Sequence, residues 1–237
     1  MVGQRTLNPF ILVRIQAPEL FMDEILKFKN LLKRKKITGL ALDIDNTLSS
    51  TNYYWVKKLT LMFGNPENLT IEQIITKYQY ASNVPYWQTK NALQWMEGAR
   101  LDNKLHEELP LIENANLIVQ KINKIIPIVI YLTVRPTSVL STTKNWLKKH
   151  RFPLAEVIAK PLNISFQEGN KWKAEILNFL YPQIIGIIDD NPEIIDYLPV
   201  SYKGIVYLYN INQAPKKSFK VISCRNWKEV WLKVKQY

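Results

Sequence analysis

The chain has 237 residues, 47% of them hydrophobic, a formal net charge of +12 and a single cysteine, Cys224. That is enough apolar material for one large domain, or a domain with a small accessory lobe, and it excludes a disordered chain. One cysteine excludes an internal disulfide, and seven widely spaced glycines exclude both a dinucleotide fingerprint and a P-loop.

In chain order, residues 1–17 match no element and carry no basic-then-apolar leader. The longest near-apolar run, 125–132, is far short of the ~20 residues that span a bilayer. With the lone cysteine this gives the expectation of a cytoplasmic protein without a membrane span. Residues 18–36 read as a helix ending in the basic run Lys33-Arg34-Lys35-Lys36. Residues 1–42 hold eight Lys/Arg against three Asp/Glu, and residues 201–237 eight against one, while the middle is neutral. Such basic ends make nucleic acid a candidate partner, beside the plainer reading of a solvated surface.

A first strand over 39–44 runs into Asp43-Ile44-Asp45-Asn46-Thr47-Leu48. About eighty residues without a convincing strand follow. Thr70-Ile71-Glu72-Gln73 has the form of a capping box and starts a helix reaching to about residue 80. Pro85 suits the first turn of another, reaching to about 97. Further strands are expected at 126–132, 155–159, 184–188 and 204–209, with a weaker one at 219–224. Helices at 114–125, 138–149, 171–180 and 226–235 separate or close them. Short β-branched runs alternating with helices predict an α/β fold, a Rossmann-like doubly wound parallel sheet. The expected division is 1–50 for the N-terminal segment and first core strand, 51–112 for an inserted helical cap, and 113–237 for the rest of the core.

Aspartates two apart at a strand end project to one side, because the side-chain period is two. Crowded carboxylates need a cation. The pair Asp189-Asp190 ends another strand, and parallel strands open on one edge, so these acids should converge. Carboxylates without a histidine or thiolate make a hard oxygen site suited to Mg²⁺. His106 and His150, the only histidines, do not make a histidine-rich metal site. Thr133 and Arg135 lie on the same edge. A lysine, Lys171 or Lys173, opens a helix, and Lys160 precedes Pro161. Hydroxyls, a lysine and backbone N–H groups around Mg²⁺ make a phosphate cradle, in which a carboxylate can act as nucleophile. Trp87, Trp95, Tyr53, Tyr54 and Tyr86 read either as core or as a stacking surface for a nucleobase. Trp146, Trp172, Trp227 and Trp231 read as packing residues, and Cys224 as a buried small hydrophobe.

The aspartate pair, Thr133, the downstream lysine and the second aspartate pair resemble, in order, the four motifs of the haloacid dehalogenase superfamily, spread over residues 40–196. The resemblance implies that Asp43 is the nucleophile forming an aspartyl-phosphate. Asp45 would be the acid and then the base, with its backbone carbonyl on Mg²⁺. Thr133 would hold phosphoryl oxygens, with Thr47, Arg135 and Lys171 as further substrate contacts. Lys173, heading a Lys-x-x-x-Leu pattern, is preferred to Lys171 and Lys160 as the charge-balancing lysine. Asp190 is preferred to Asp189 as the direct metal ligand, beside Asp43 and Asp45. Asp45 favours phosphoryl chemistry over carbon–halogen cleavage, and the lack of membrane helices separates the chain from P-type ATPases, while phosphomutases stay open. The implied activity is a Mg²⁺-dependent phosphatase on a small phosphorylated metabolite such as a nucleotide or sugar phosphate. The alternatives are a phosphatase of nucleic-acid ends, since 173–190 resembles the phosphatase half of polynucleotide kinase/phosphatases, and a non-catalytic binding module on the same scaffold.

Overall fold

The computed structural model describes residues 18–236, so residues 1–17, the first part of the basic stretch over 1–42, lie outside the described residues. In chain order the elements are α1 (Pro18–Arg34), β1 (Gly39–Leu42), α2 (Thr51–Phe63), α3 (Ile71–Tyr78), α4 (Lys90–Leu101), α5 (Asn103–Glu108), α6 (Ala115–Asn123) and β2 (Ile128–Pro136). Then come α7 (Leu140–Lys149), β3 (Glu156–Lys160), α8 (Gly169–Leu180), β4 (Ile184–Asp189), α9 (Ile194–Tyr197), β5 (Ile205–Tyr209), β6 (Lys220–Cys224) and α10 (Trp227–Val234). The six strands form one sheet in the order β3-β2-β1-β4-β5-β6, every neighbour parallel. The expected α/β class and doubly wound sheet are therefore present, and 219–224 is a paired edge strand.

Alternation along the strands sorts the core into two layers. Leu40 and Leu42 pack with Val119 and Ile122 of α6, Trp146 of α7 and Val230 of α10. Ala41, Ile130 and Ile187 pack on the other face with Ile25 of α1, Ala174 and Leu177 of α8, and Ile194. Strand order reverses between β1 and β4, and in open α/β sheets ligands bind outside the carboxyl ends at that point.

The insertion between β1 and α6 has its own core, where Val56, Leu59, Ile74, Val84, Trp87 and Met96 pack together. Its two ends run side by side: Ser50 N–H donates to Pro110 O at 2.8 Å, and Ile112 N–H to Leu48 O at 2.8 Å. The capping box at Thr70 forms as expected, with Thr70 Oγ1 accepting from Gln73 N–H and the Gln73 side chain accepting from Thr70 N–H. Pro85 departs from expectation. It opens a single 3₁₀ turn, Pro85–Trp87, and the helix begins afresh at α4, capped by Thr89, whose Oγ1 accepts from Ala92 N–H. Threonine offers the acceptor that a helix start needs, and proline does not. Helix α2 followed from no signal used above.

Candidate active site

Parity places the first carboxylate. Asp43 follows Leu42 on the side of Ala41, the side where α8 packs, and Asp189 shares the side of Ile187. Asp43 N–H donates to Ile188 O at 2.9 Å, which extends the β1–β4 pairing by one residue. Gly169 lets α8 begin close to β2: a Cβ there would stand 2.9 Å from Val134 Cγ1. One turn on, Lys173 enters between the strand ends. Its Nζ donates to Asp43 Oδ1 at 2.6 Å and Asp189 Oδ2 at 2.9 Å, and the side chain is only 2% exposed. Lys171, two residues earlier, is on the exposed side of the helix. Lys160 is buried and turned to the carbonyls of Pro161 and Ile164, at 3.2 and 2.5 Å.

Thr47 closes the loop onto both aspartate pairs. Its Oγ1 lies 3.2 Å from Asp43 Oδ2 and 3.3 Å from Asp190 Oδ1, and accepts from Asp190 N–H at 3.1 Å. Asn46 makes the turn possible by adopting a left-handed φ of 57°. Asp189 is fully buried, and its Oδ1 accepts from Asn191 N–H at 2.9 Å. Thr133 is buried within β2, three residues before its end, its Oγ1 accepting from Arg135 N–H at 3.2 Å.

Among the described residues, Asp43, Asp189 and Asp190 each bring a carboxylate oxygen within 4.8 Å of the others. Burial raises the Asp43 carboxyl, Lys173 draws it back, and Asp189 and Asp45 push it up again, leaving it at about 7 against an ordinary 3.8. Asp190 is also raised well above its ordinary value, by burial and by the facing Asp43 and Asp189. For Lys173, burial opposes the charge, but Asp189 and Asp43 outweigh it and raise its value. Three oxygen donors without imidazole or thiolate fit a hard divalent cation such as Mg²⁺, and such an ion would relieve this like-charge crowding.

The Asp45 side chain stands outside that cluster. Arg135 forks onto it, Nε to Oδ2 at 2.9 Å and Nη2 to Oδ1 at 2.7 Å, while Thr51 Oγ1 donates to Oδ1 at 2.5 Å. Burial works against the Asp45 charge, but Arg135 foremost, then His106 and Thr51, hold the carboxyl below its ordinary value. Arg135, expected as a substrate contact, is itself buried and committed to Asp45, Ser49 and Thr143.

The insertion supplies residues that the motif reading missed. Asn52 N–H donates to Asn46 Oδ1 at 2.8 Å, Asn52 Nδ2 donates to Gln79 O at 2.6 Å, and Asn52 Oδ1 accepts from Ala81 N–H at 2.9 Å. The last two bonds grip the backbone on both sides of Tyr80, at the turn where Gln79 has a φ of 65°. Tyr80 lines the cleft, and Asp190, Asp189, Glu193 and Asp43 add to burial in raising its phenol above the ordinary range. The sequence signal was slight: a polar asparagine seven residues after Asp45 and an aromatic after a helix end.

The aromatics considered for base stacking lie elsewhere. Trp87 is in the insertion's core with its Nε1 on Gly64 O, Tyr86 packs edge-on against it, Trp95 meets Trp55, and Tyr54 donates to Glu108. None of these, nor Tyr53, lines the cleft; Trp55, Tyr80, Phe166 and Tyr197 do. No lysine of α10 lines it either. No described helix is long and apolar enough to cross a membrane.

No protein-family model and no curated protein sequence matches the chain. Solved structures do. A dehalogenase with an intermediate complex is similar at 13% identity over 83% of this chain and 96% of that one, with a TM-score of 0.51. A HAD-superfamily hydrolase from Ehrlichia chaffeensis aligns at 15% identity over 84% and 97%, with a TM-score of 0.47. A phosphoserine phosphatase from T. onnurineus aligns at 15% over 84% and 95%, with a TM-score of 0.45. The likeness to the dehalogenase shows a shared fold, the haloacid dehalogenase fold.

Proposed function

We propose that this chain, with its haloacid dehalogenase fold, is a phosphatase that hydrolyses a small phosphomonoester through an aspartyl-phosphate on Asp43, with Mg²⁺ as cofactor. The observation that carries the reading is the Lys173 bridge between Asp43 and Asp189 at the floor of an open cleft. A buried lysine shared by two carboxylates is an expensive arrangement that function explains better than stability does. The dehalogenase likeness is one of fold, and Asp45 in the cleft favours phosphoryl chemistry over carbon–halogen cleavage.

Asp43, Asp189 and Asp190 would hold the metal, which when bound supplies charge neutralisation for the transferring phosphoryl group. Asp43 attacks phosphorus in line, forming the acyl-phosphate bond as the phosphorus–oxygen bond to the alcohol breaks. The departing oxygen takes its proton from Asp45. Water then attacks phosphorus, gives a proton to Asp45, and releases inorganic phosphate and free Asp43. Arg135 keeps Asp45 ionised, the form that accepts a proton from water. Loading Asp45 with a proton for the first step requires that fork to loosen. Lys173 holds Asp43 in place and offsets its charge, and Thr47 and Thr133 present hydroxyl groups around the phosphate.

The test is phosphate release from a panel of phosphomonoesters, with Mg²⁺ and with chelator, beside Asp43→Asn. Release by wild type with Mg²⁺ alone is the expected result. Equal release by D43N would overturn the nucleophile, and equal release in chelator would overturn the metal.

A further inference from the structure

The cleft above Asp43 holds about 1260 Å³, at or above the upper end of the range for drug-sized ligands and far more than a phosphate group with three or four carbons needs. Among the described residues four lysines and arginines line it, and each already has a bonding partner within the protein. Lys173 is on Asp43 and Asp189, Arg135 on Asp45, and Lys160 on two carbonyls. Arg100 is paired to Glu97 at 2.5 Å through Nη1 while its Nε is buried without a partner, and its guanidinium is 4.0 Å from the Phe166 ring centroid and 5.4 Å from that of Trp55. Lys171, the exposed lysine of α8, is not part of the lining. Glu97 and Glu193 add negative charge to the wall. A second phosphate or a carboxylate on the substrate would meet Glu97 and Glu193 here and, among the described residues, find every lining cation already paired or bonded within the protein.

The upper wall has the opposite character. Leu93 and Leu101 come from α4 of the insertion, and Leu162 and Phe166 from the segment after β3. They are 41%, 53%, 52% and 47% exposed, and all four line the cleft. The Arg100–Phe166 contact shows that the two walls meet there. Large apolar side chains left open on both sides of one cleft are a surface that a ligand covers.

We infer that the alcohol part of the substrate is uncharged and largely apolar, seated among Leu93, Leu101, Leu162 and Phe166 while its single phosphate reaches Asp43. This rests on the phosphatase reading and narrows it. Bisphosphates and nucleic-acid ends become poor substrates, because each brings further anions to a wall that holds Glu97 and Glu193, and polyol phosphates leave the four apolar side chains uncovered.

Benzyl phosphate and glycerol 1-phosphate test it, since both leave as primary alcohols of low acidity and differ mainly in the surface they bury. Measured with Mg²⁺, kcat/KM for benzyl phosphate should exceed that for glycerol 1-phosphate by about tenfold or more, and a hexose bisphosphate should be slower than either. In Phe166→Ser, and separately in Leu101→Asn, the benzyl-to-glycerol ratio should fall by about threefold or more. Both side chains are open to solvent, so the variants keep the fold. A wild-type ratio of one or less, a faster bisphosphate, or a ratio unmoved in both variants would overturn the assignment while leaving a phosphatase. No release from any ester would remove the phosphatase reading and this assignment together.

Discussion

Replacing Asp43 by asparagine removes a charge while keeping the side chain's shape, so it measures what the crowded site costs the fold. The carboxyl is at about 7 in the folded chain against an ordinary 3.8. At about 1.4 kcal/mol per pH unit, holding it ionised above pH 7 costs about 4 kcal/mol without metal. The sign follows from proton binding. Between about pH 4 and 7 the folded chain keeps a proton that the unfolded chain has lost. The penalty is therefore absent below pH 4, grows through that window and is complete above it. Asparagine carries no such penalty, and the bond from Lys173 is already counted within it. The net expectation in chelator at pH 8 is a gain of up to about 4 kcal/mol, which for a chain of this size raises Tm by about 8–16 °C. At pH 5 most of the gain disappears. Mg²⁺ should stabilise wild type at pH 8 more than it stabilises D43N, and D43N should release no phosphate. Thermal unfolding followed by circular dichroism at the two pH values, with chelator and with Mg²⁺, decides the matter. A D43N chain less stable than wild type at pH 8 in chelator, or a difference equal at both pH values, would refute the account of the crowded carboxylates.

Lys173→Met keeps the length of the side chain but strands Asp43 and Asp189, both buried, without a counter-charge. Urea unfolding at pH 8 should show a loss of about 3–5 kcal/mol, smaller at pH 5 where protonation relieves the carboxylates, and turnover should fall by about 10²–10³-fold. Arg135→Leu frees Asp45, whose carboxyl then rises towards or above its ordinary value. The stability that the depressed carboxyl contributes above about pH 4 is lost, and the acidic limb of the kcat profile moves to higher pH. An unmoved limb would remove Asp45 from the rate-setting step. Asn52→Ala cuts the two side-chain bonds that hold the turn around Tyr80, at about 1 kcal/mol each, and leaves the Asn52 N–H bond to Asn46 in place. Amide exchange at Gln79 and Ala81 should quicken, and kcat/KM should drop by about tenfold. Unchanged exchange would show that the turn holds itself.

The floor of the site was legible because strand periodicity and strand ends determine it. Apolar runs marked β1 and β4, and a period of two put Asp43 with Ala41 and Asp189 with Ile187, on the side where a helix must cover the sheet. The choice between Lys171 and Lys173 was also in the sequence. Lys173 heads Ile176, Leu177 and Leu180, the i+3, i+4, i+7 stripe that α8 buries, whereas Lys171 heads Ala174, Glu175 and Asn178. The pairing of Arg135 with Asp45 had no such signal. Ninety residues separate them, and a guanidinium at a sheet edge satisfies a phosphate as readily as a carboxylate until the distances are known. The walls were the least legible. Pro85, Thr89 and the insertion's aromatics could be read as elements, yet which of them faces the cleft depends on how the insertion packs on itself, through Val84 and Trp87 inward and Trp55 and Tyr80 outward. The same physical fact separates what the motifs say from what the cleft says. Strand-end carboxylates report the group transferred, since only a few residue types can perform that chemistry. Selectivity resides in Leu93, Leu101, Leu162 and Phe166, ordinary residues whose meaning comes from being left uncovered, and only the folded chain shows that they are.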